Sequence, residues 1–268
     1  MYGMPKWLRK TRSALKFLLE GNFEKIWFKI LENIFGKKYY KESEFRILVD
    51  ESEFKPKLER ALEFLKNELN GATNLGDYLE FGVSHGNSLL IVYKTFQELN
   101  FGKVRIFGFD SFEGLPEEAK FDDNGHWRPG DYYAKEKNVR KYLSKEGVNW
   151  EKVKLTKGWF KDTLKPSFIE ENNIAKASVI MIDCDMYISS KEALDFCVPL
   201  IKDKTIIFFD DWNAANLADR NLGEKKAFEE FMNENPQFES VDFDNYSYQG
   251  DQNGVIKLVS LKQTHKSK

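Results

Sequence analysis

Asp77-Tyr78-Leu79-Glu80-Phe81-Gly82-Val83-Ser84-His85-Gly86-Asn87-Ser88 is the stretch that decides the fold. An apolar run, Asp77 to Val83, enters a turn with two glycines, and Asn87 to Glu98 then has the length and pattern of a helix. The same phrase recurs downstream. Strand-like runs stand at Val104 to Asp110, Val153 to Leu155, Ser178 to Asp183 and Thr205 to Asp210, with helix-length segments such as Ser189 to Val198 between them. Strand, helix, strand repetition predicts a parallel sheet covered on both faces. The end differs: Phe238 to Phe243 and Val255 to Leu261 are joined by Asp244 to Gly254, with no room for a helix, which predicts an antiparallel pair. The expected fold is α/β, a doubly wound Rossmann-like sheet ending in an antiparallel hairpin.

Upstream of this domain, assigned to residues 71–268, residues 1–70 read as an N-terminal helical extension. Phe23, Ile26, Trp27, Ile30, Leu31 and Ile34 share one helical face, and Leu58, Leu62, Leu65 and Leu69 share another. Such stripes pack on the main domain or on a second subunit, so a homo-oligomer is expected. A membrane-surface helix is the alternative, because Trp7 and Leu8 are interleaved with Lys6, Arg9, Lys10, Arg12 and Lys16.

Composition narrows the partners. With 41% hydrophobic and 31% charged residues the chain has a globular balance, and a net charge of -2 gives no general attraction to nucleic acid. A small-molecule ligand is the starting expectation. The two cysteines, Cys184 and Cys197, lie in apolar stretches and read as buried free thiols of a cytoplasmic protein. No run reaches the roughly 18 apolar residues of a membrane span. Glu20 ends the short run Phe17-Leu18-Leu19, so a cleaved signal peptide is not expected.

Ligands of such sheets bind beyond the carboxyl ends of the strands. At the first of these ends, Gly82 and Gly86 let the backbone approach a ligand, and Asn87 or Ser88 starts the next helix. Glu80, Phe81 and Ser84 flank the turn; the Glu80 carboxylate either organises the loop or meets a cationic group. The spacing is not the dinucleotide fingerprint, and an ordinary tight turn explains it equally well. The second strand ends in Phe107-Gly108-Phe109-Asp110-Ser111, where an acid roughly 20 residues past the glycines takes ribose hydroxyls. After the third strand comes Lys157-Gly158-Trp159-Phe160-Lys161-Asp162-Thr163-Leu164, whose aromatics can stack on an adenine or simply pack in the core. These features alone do not separate S-adenosylmethionine from NAD.

The acidic end carries the stronger signal. One buried-looking run ends Met181-Ile182-Asp183-Cys184-Asp185-Met186-Tyr187, and the next ends Phe208-Phe209-Asp210-Asp211-Trp212. Neighbouring strands would bring four carboxylates together, and like charges at close range call for a compensating cation. Oxygen donors suit Mg²⁺. If extended structure persists past Asp183, alternation points Asp183 and Asp185 the same way; a turn at Cys184 would break that. The polar stretch Asp122-Asp123-Asn124-Gly125-His126-Trp127-Arg128-Pro129-Gly130 has the composition of a mobile lid, which would bring the His126 imidazole to an acceptor as a competing base. A surface loop without a catalytic role fits that stretch equally. The chain has no G-x-S-x-G elbow and no P-loop, against a hydrolase or NTPase.

Four stretches in order, Asp110-Ser111-Phe112-Glu113-Gly114-Leu115-Pro116, Gly158-Trp159-Phe160-Lys161-Asp162-Thr163-Leu164, Ile182-Asp183-Cys184-Asp185-Met186-Tyr187 and Asp210-Asp211-Trp212, resemble the macrocin O-methyltransferase family. The resemblance covers roughly residues 75 to 262. It implies a class I methyltransferase fold, S-adenosylmethionine as methyl donor, S-adenosylhomocysteine as product, and a sugar or glycoside hydroxyl as acceptor. It also implies Mg²⁺ on Asp183, Asp210 and Asp211, with Asp185 as general base. Cys184, Met186 and Trp212 depart from the glycine, leucine and tyrosine common in the family. A catechol acceptor suits the same metal geometry. The rival classes are a non-catalytic nucleotide or sugar-nucleotide binding module and a dehydrogenase.

Overall fold

The computed structural model describes residues 50–248 and 251–262. The stripe from Phe23 to Ile34 and the basic N-terminus lie outside them. The first described helix, α1 (Glu51–Glu68), is capped by the Asp50 carboxylate, which accepts from Ser52 N–H, and has Glu51 and Glu53 in its first turn. Acids at that end complement the helix dipole. Its apolar stripe, Phe54, Leu58, Leu62 and Leu65, is fully buried in the main core. This helix, read from sequence as part of the extension, belongs to the compact unit Ile47–Lys268 that holds the sheet. The second of the two stripes behind the expected oligomer is therefore covered within the chain.

The remaining elements alternate as expected. β1 (Asp77–Phe81), α2 (Asn87–Glu98), β2 (Ile106–Asp110), α3 (Glu136–Lys145), β3 (Val153–Lys157), α4 (Phe160–Thr163) and α5 (Pro166–Glu171) come first. They are followed by β4 (Ala177–Ile182), α6 (Tyr187–Cys197), β5 (Lys204–Phe209), α7 (Gly223–Glu234), β6 (Phe238–Tyr248) and β7 (Asp251–Leu261). The strand order is β3-β2-β1-β4-β5-β7-β6. The first five strands are parallel; β7 is antiparallel to both β5 and β6. The order reverses between β1 and β4, so the crevice of a doubly wound sheet opens at their carboxyl ends.

Burial on both faces explains the near-continuous apolar strands. Tyr78, Val179, Met181, Ile206 and Phe208 face the core shared with α1, α2 and α3. Leu79, Phe81, Ile180, Ile182, Ile207 and Phe209 face the core shared with α6 and α7. Among the described residues no helix is long and apolar enough to cross a membrane.

The final hairpin is longer than the sequence predicts, because Asp244 to Gly254 is mostly strand rather than link. Its polar residues hide the pattern, and so does a bulge: Asp242 pairs with Lys257 but Asp244 pairs with Ile256. The extra residue, Phe243, packs against Phe64 of α1 with ring centroids 5.2 Å apart. An extra residue reverses which face the following side chains meet. Phe238 accordingly lies in the core of α6 and α7, whereas Tyr246 lies in the opposite core.

Candidate active site

One cleft enclosing about 260 Å³ lies at the carboxyl ends of β1, β2, β4 and β5. Of the predicted cofactor residues, Gly82, Ser84, Asp110, Ser111, Gly158, Trp159 and Phe160 line it; Asp183, Asp185, Asp210 and Asp211 line it too. The glycine turn and the acidic strand ends thus share one cleft.

Glu80, Phe81, Gly86, Asn87 and Ser88 are not among the lining residues. Glu80 is fully buried and accepts hydrogen bonds from the Tyr78 hydroxyl (2.7 Å) and the Ser88 hydroxyl (2.8 Å). It ties β1 to the start of α2, which is the loop-organising alternative. Burial lifts its carboxyl to about 7, against those two hydrogen bonds. Phe81 supports the lining from beneath, with its ring 5.8 Å from that of Phe160 and edge-on to it.

Asp110 sits at the end of β2. Its carboxylate accepts from the backbone N–H groups of Ser84 (2.7 Å) and Phe112 (2.5 Å). It holds the glycine loop and the Asp110–Pro116 turn in register with each other. Ser111 closes that turn, donating to the Gly114 carbonyl (2.9 Å) and accepting from Glu113 N–H (3.0 Å).

Asp183, Asp210 and Asp211 each offer an oxygen within 4.8 Å of the others. Burial and the Asp210, Asp211 and Asp185 carboxylates hold the Asp183 carboxyl well above the usual range. Burial and then Asp210 push Asp211 up to about 8. Converging hard oxygens whose mutual repulsion is paid in protonation fit a divalent cation, which would supply the missing positive charge.

Asp185 is not a continuation of the strand. It has φ 62 and stands at the centre of a tight turn in which Met186 N–H donates to the Cys184 carbonyl (2.6 Å). A non-glycine residue in this backbone region is strained and is found where surrounding structure imposes it. The turn buries the Asp185 carboxylate beside the three others, and burial followed by Asp211 and Asp210 raises it well above the carboxylate range.

Opposite Asp185 is a residue that the sequence reading missed. Tyr132 lines the cleft, also with positive φ. The Asp185 charge, ahead of burial, raises the Tyr132 phenol. No pattern announces Tyr132; it lies in an irregular stretch between β2 and α3 and is linked to the site only by the fold. Glu224 was missed too: fully buried in the first turn of α7, it accepts from Asp211 N–H (3.0 Å).

The stretch expected to be a mobile lid is anchored at its start. Asp122 and Asp123 are buried: Asp122 accepts from Ile188 N–H (2.8 Å), and Asp123 from Tyr187 N–H (3.0 Å), Gly223 N–H (2.7 Å) and the Trp127 indole (3.0 Å). These acids cap α6 and α7 from a distance. His126 is exposed, edge-on to Trp127 with centroids 4.6 Å apart, and does not line the cleft.

Two of the three departures from the family pattern go into packing alone, and the third, Cys184, also lines the cleft. Met186 is fully buried with Trp127 and Leu217. The Cys184 thiol is buried 3.6 Å from the Ser190 hydroxyl. Trp212 packs edge-on to Phe209 and Phe228.

A family model described as Macrocin-O-methyltransferase (TylF) matches residues 57–244. The 8-demethyl-8-(2,3-dimethoxy-alpha-L-rhamnosyl)-tetracenomycin-C 4'-O-methyltransferase of Streptomyces olivaceus is 28% identical over 144 residues, 51% of this chain and 53% of that protein. The chain thus spans about half the length of that relative. Among solved structures, the O-methyltransferase NovP superposes with a TM-score of 0.58 at 20% identity, over 75% of this chain and 77% of that one. The O-methyltransferase TomG from Streptomyces achromogenes, solved in complex with SAM, gives 0.51 at 12% identity, over 78% and 80%. These two likenesses show the fold, a Rossmann-like class I methyltransferase sheet. With the family pattern running through most of the sheet and both acidic strand ends, the chain belongs to the macrocin-O-methyltransferase (TylF) family.

Proposed function

We propose that this chain is an O-methyltransferase that moves a methyl group from S-adenosylmethionine to a hydroxyl of a sugar or glycosylated small molecule, with Mg²⁺ held by Asp183, Asp210 and Asp211. The observation that carries the proposal is the single cleft lined both by the glycine turn with Asp110 and by the four aspartates. The rhamnosyl-directed methyltransferase among the relatives supports a sugar acceptor.

The work of the protein is positioning and proton removal. Gly82 and Ser84 would leave room for the donor's amino-acid end, Asp110 and Ser111 would meet the ribose hydroxyls, and Trp159 and Phe160 would offer faces for the adenine. A divalent cation held by Asp183, Asp210 and Asp211 would supply the positive charge that lowers the pKa of an acceptor hydroxyl. Asp185 is the general base, held in place by its own strained turn. In-line transfer then depends on the cleft holding acceptor and donor in one orientation.

Calorimetry tests the ligand class. S-adenosylhomocysteine should bind in the micromolar range and NAD should not; binding of NAD alone would overturn the proposal. The compartment proposed is the cytoplasm, resting on the two free, buried cysteines. A homo-oligomer is proposed on the Phe23 to Ile34 stripe of the sequence alone, and light scattering that returns the mass of one chain would refute it.

A further inference from the structure

From the hairpin geometry we infer that Tyr246 is a positioning residue for the metal centre: its phenol holds the carboxylate of Asp210 in the orientation in which it meets Asp183 and Asp211. The inference rests on the proposed metal centre and adds to it a residue that lies beyond the matched segment 57–244.

Tyr246 is 2% exposed, and its hydroxyl donates to Asp210 Oδ1 at 2.9 Å. An aspartate at the end of a strand turns about its side-chain bonds unless something holds it. One oxygen engaged by a fixed phenol sets the plane of the carboxylate. Ligating carboxylates are commonly held this way, and the partners that hold them tune metal affinity.

The ring itself is fixed from several sides. It lies edge-on to Phe54 of α1 (centroids 6.1 Å apart) and tilted against Phe208 of β5, also at 6.1 Å. On the paired strand its partner is Gly254. A Cβ at Gly254 would stand 2.4 Å from the ring, so glycine is what leaves room for the phenol to lie across the hairpin. The bulge at Phe243 brings Tyr246 to this face at all. Directly after the bulge, Asp244 is bound by Lys57 (2.9 Å) and Arg60 (2.5 Å) of α1, which fixes the strand just before Tyr246. Helix α1 and the hairpin together therefore set where the phenol points.

The test is Mg²⁺ binding, measured by calorimetry on the full chain without acceptor, for the wild type, Tyr246→Phe and Gly254→Ala. Tyr246→Phe removes only the hydroxyl and keeps the packing. Its Mg²⁺ affinity should fall about tenfold or more, the usual effect of losing a group that orients a ligand. Its affinity for S-adenosylhomocysteine and its thermal midpoint should stay near the wild-type values, a combination that loss of packing alone does not give. Gly254→Ala, which displaces the ring and keeps the hydroxyl, should weaken Mg²⁺ binding in the same direction. A wild type that binds Mg²⁺ beside a Tyr246→Phe variant of unchanged affinity overturns the inference alone. A wild type that binds no Mg²⁺ overturns the metal centre and the inference together.

Discussion

Gly82 stands so close to the backbone of Asp183 that a Cβ added to it would lie 1.7 Å from the Asp183 carbonyl oxygen. Gly82 also has φ 94. The turn after β1 and the acidic end of β4 are thus packed main chain to main chain, and the glycine turn and the acidic strand form one unit. Gly82→Ala meets both a forbidden backbone region and a steric overlap, and should destabilise the chain by about 3 kcal/mol or more. Urea denaturation measures this; a loss below about 1 kcal/mol, the size of an ordinary substitution, would contradict the packing described.

Asp110→Ala removes the acceptor that holds Ser84 N–H and Phe112 N–H. It should weaken S-adenosylhomocysteine binding at least tenfold, about 1.4 kcal/mol. Unchanged affinity by calorimetry would remove the ribose from this end of the cleft.

Asp185→Asn keeps the shape of the side chain and cannot take a proton. The rate should fall roughly 10²- to 10⁴-fold, the usual contribution of a general base, while Mg²⁺ and S-adenosylhomocysteine still bind. His126→Ala should keep near-wild-type activity, since His126 is exposed and away from the cleft lining. The reverse result, a competent Asp185→Asn and an inactive His126→Ala, would transfer the role to the histidine.

Glu80 gives a pH signature. Its folded-state value of about 7 lies above the ordinary 4.5, so the folded chain holds this proton more tightly than the unfolded one. Its contribution to stability is complete below the unfolded value and is lost as pH rises through about 7. Between pH 5 and 8, in chelator, the wild type should lose stability with rising pH more steeply than Glu80→Gln. Parallel slopes for the two proteins would mean that Glu80 is not the buried acid described.

Much of this architecture is legible in the sequence because it follows from burial. Strands covered on both faces read as unbroken apolar runs, and an aspartate that ends such a run can only sit at the rim of the sheet. That reasoning brings the four carboxylates of Asp183, Asp185, Asp210 and Asp211 to one rim without any structure; the division of roles among them comes only from the family resemblance. The reasoning fails where chain geometry departs from regular periods. The turn at Cys184 removes the alternation that would have paired Asp183 with Asp185. The Phe243 bulge reverses the facing of Tyr246, so counting from Phe238 puts it in the wrong core. Asp122 and Asp123 read as loop acids because the helix starts they cap lie 66 and 100 positions away, at Ile188 and Gly223. Tyr132 approaches Asp185 only through tertiary folding.

The most direct test of the central claim follows label from [methyl-³H]S-adenosylmethionine into a panel of glycosides, with the enzyme either loaded with Mg²⁺ or dialysed against EDTA. Label should appear on an acceptor hydroxyl with Mg²⁺, disappear after EDTA, and return when Mg²⁺ is restored. Full transfer by the chelated enzyme would contradict the role given to Asp183, Asp210 and Asp211.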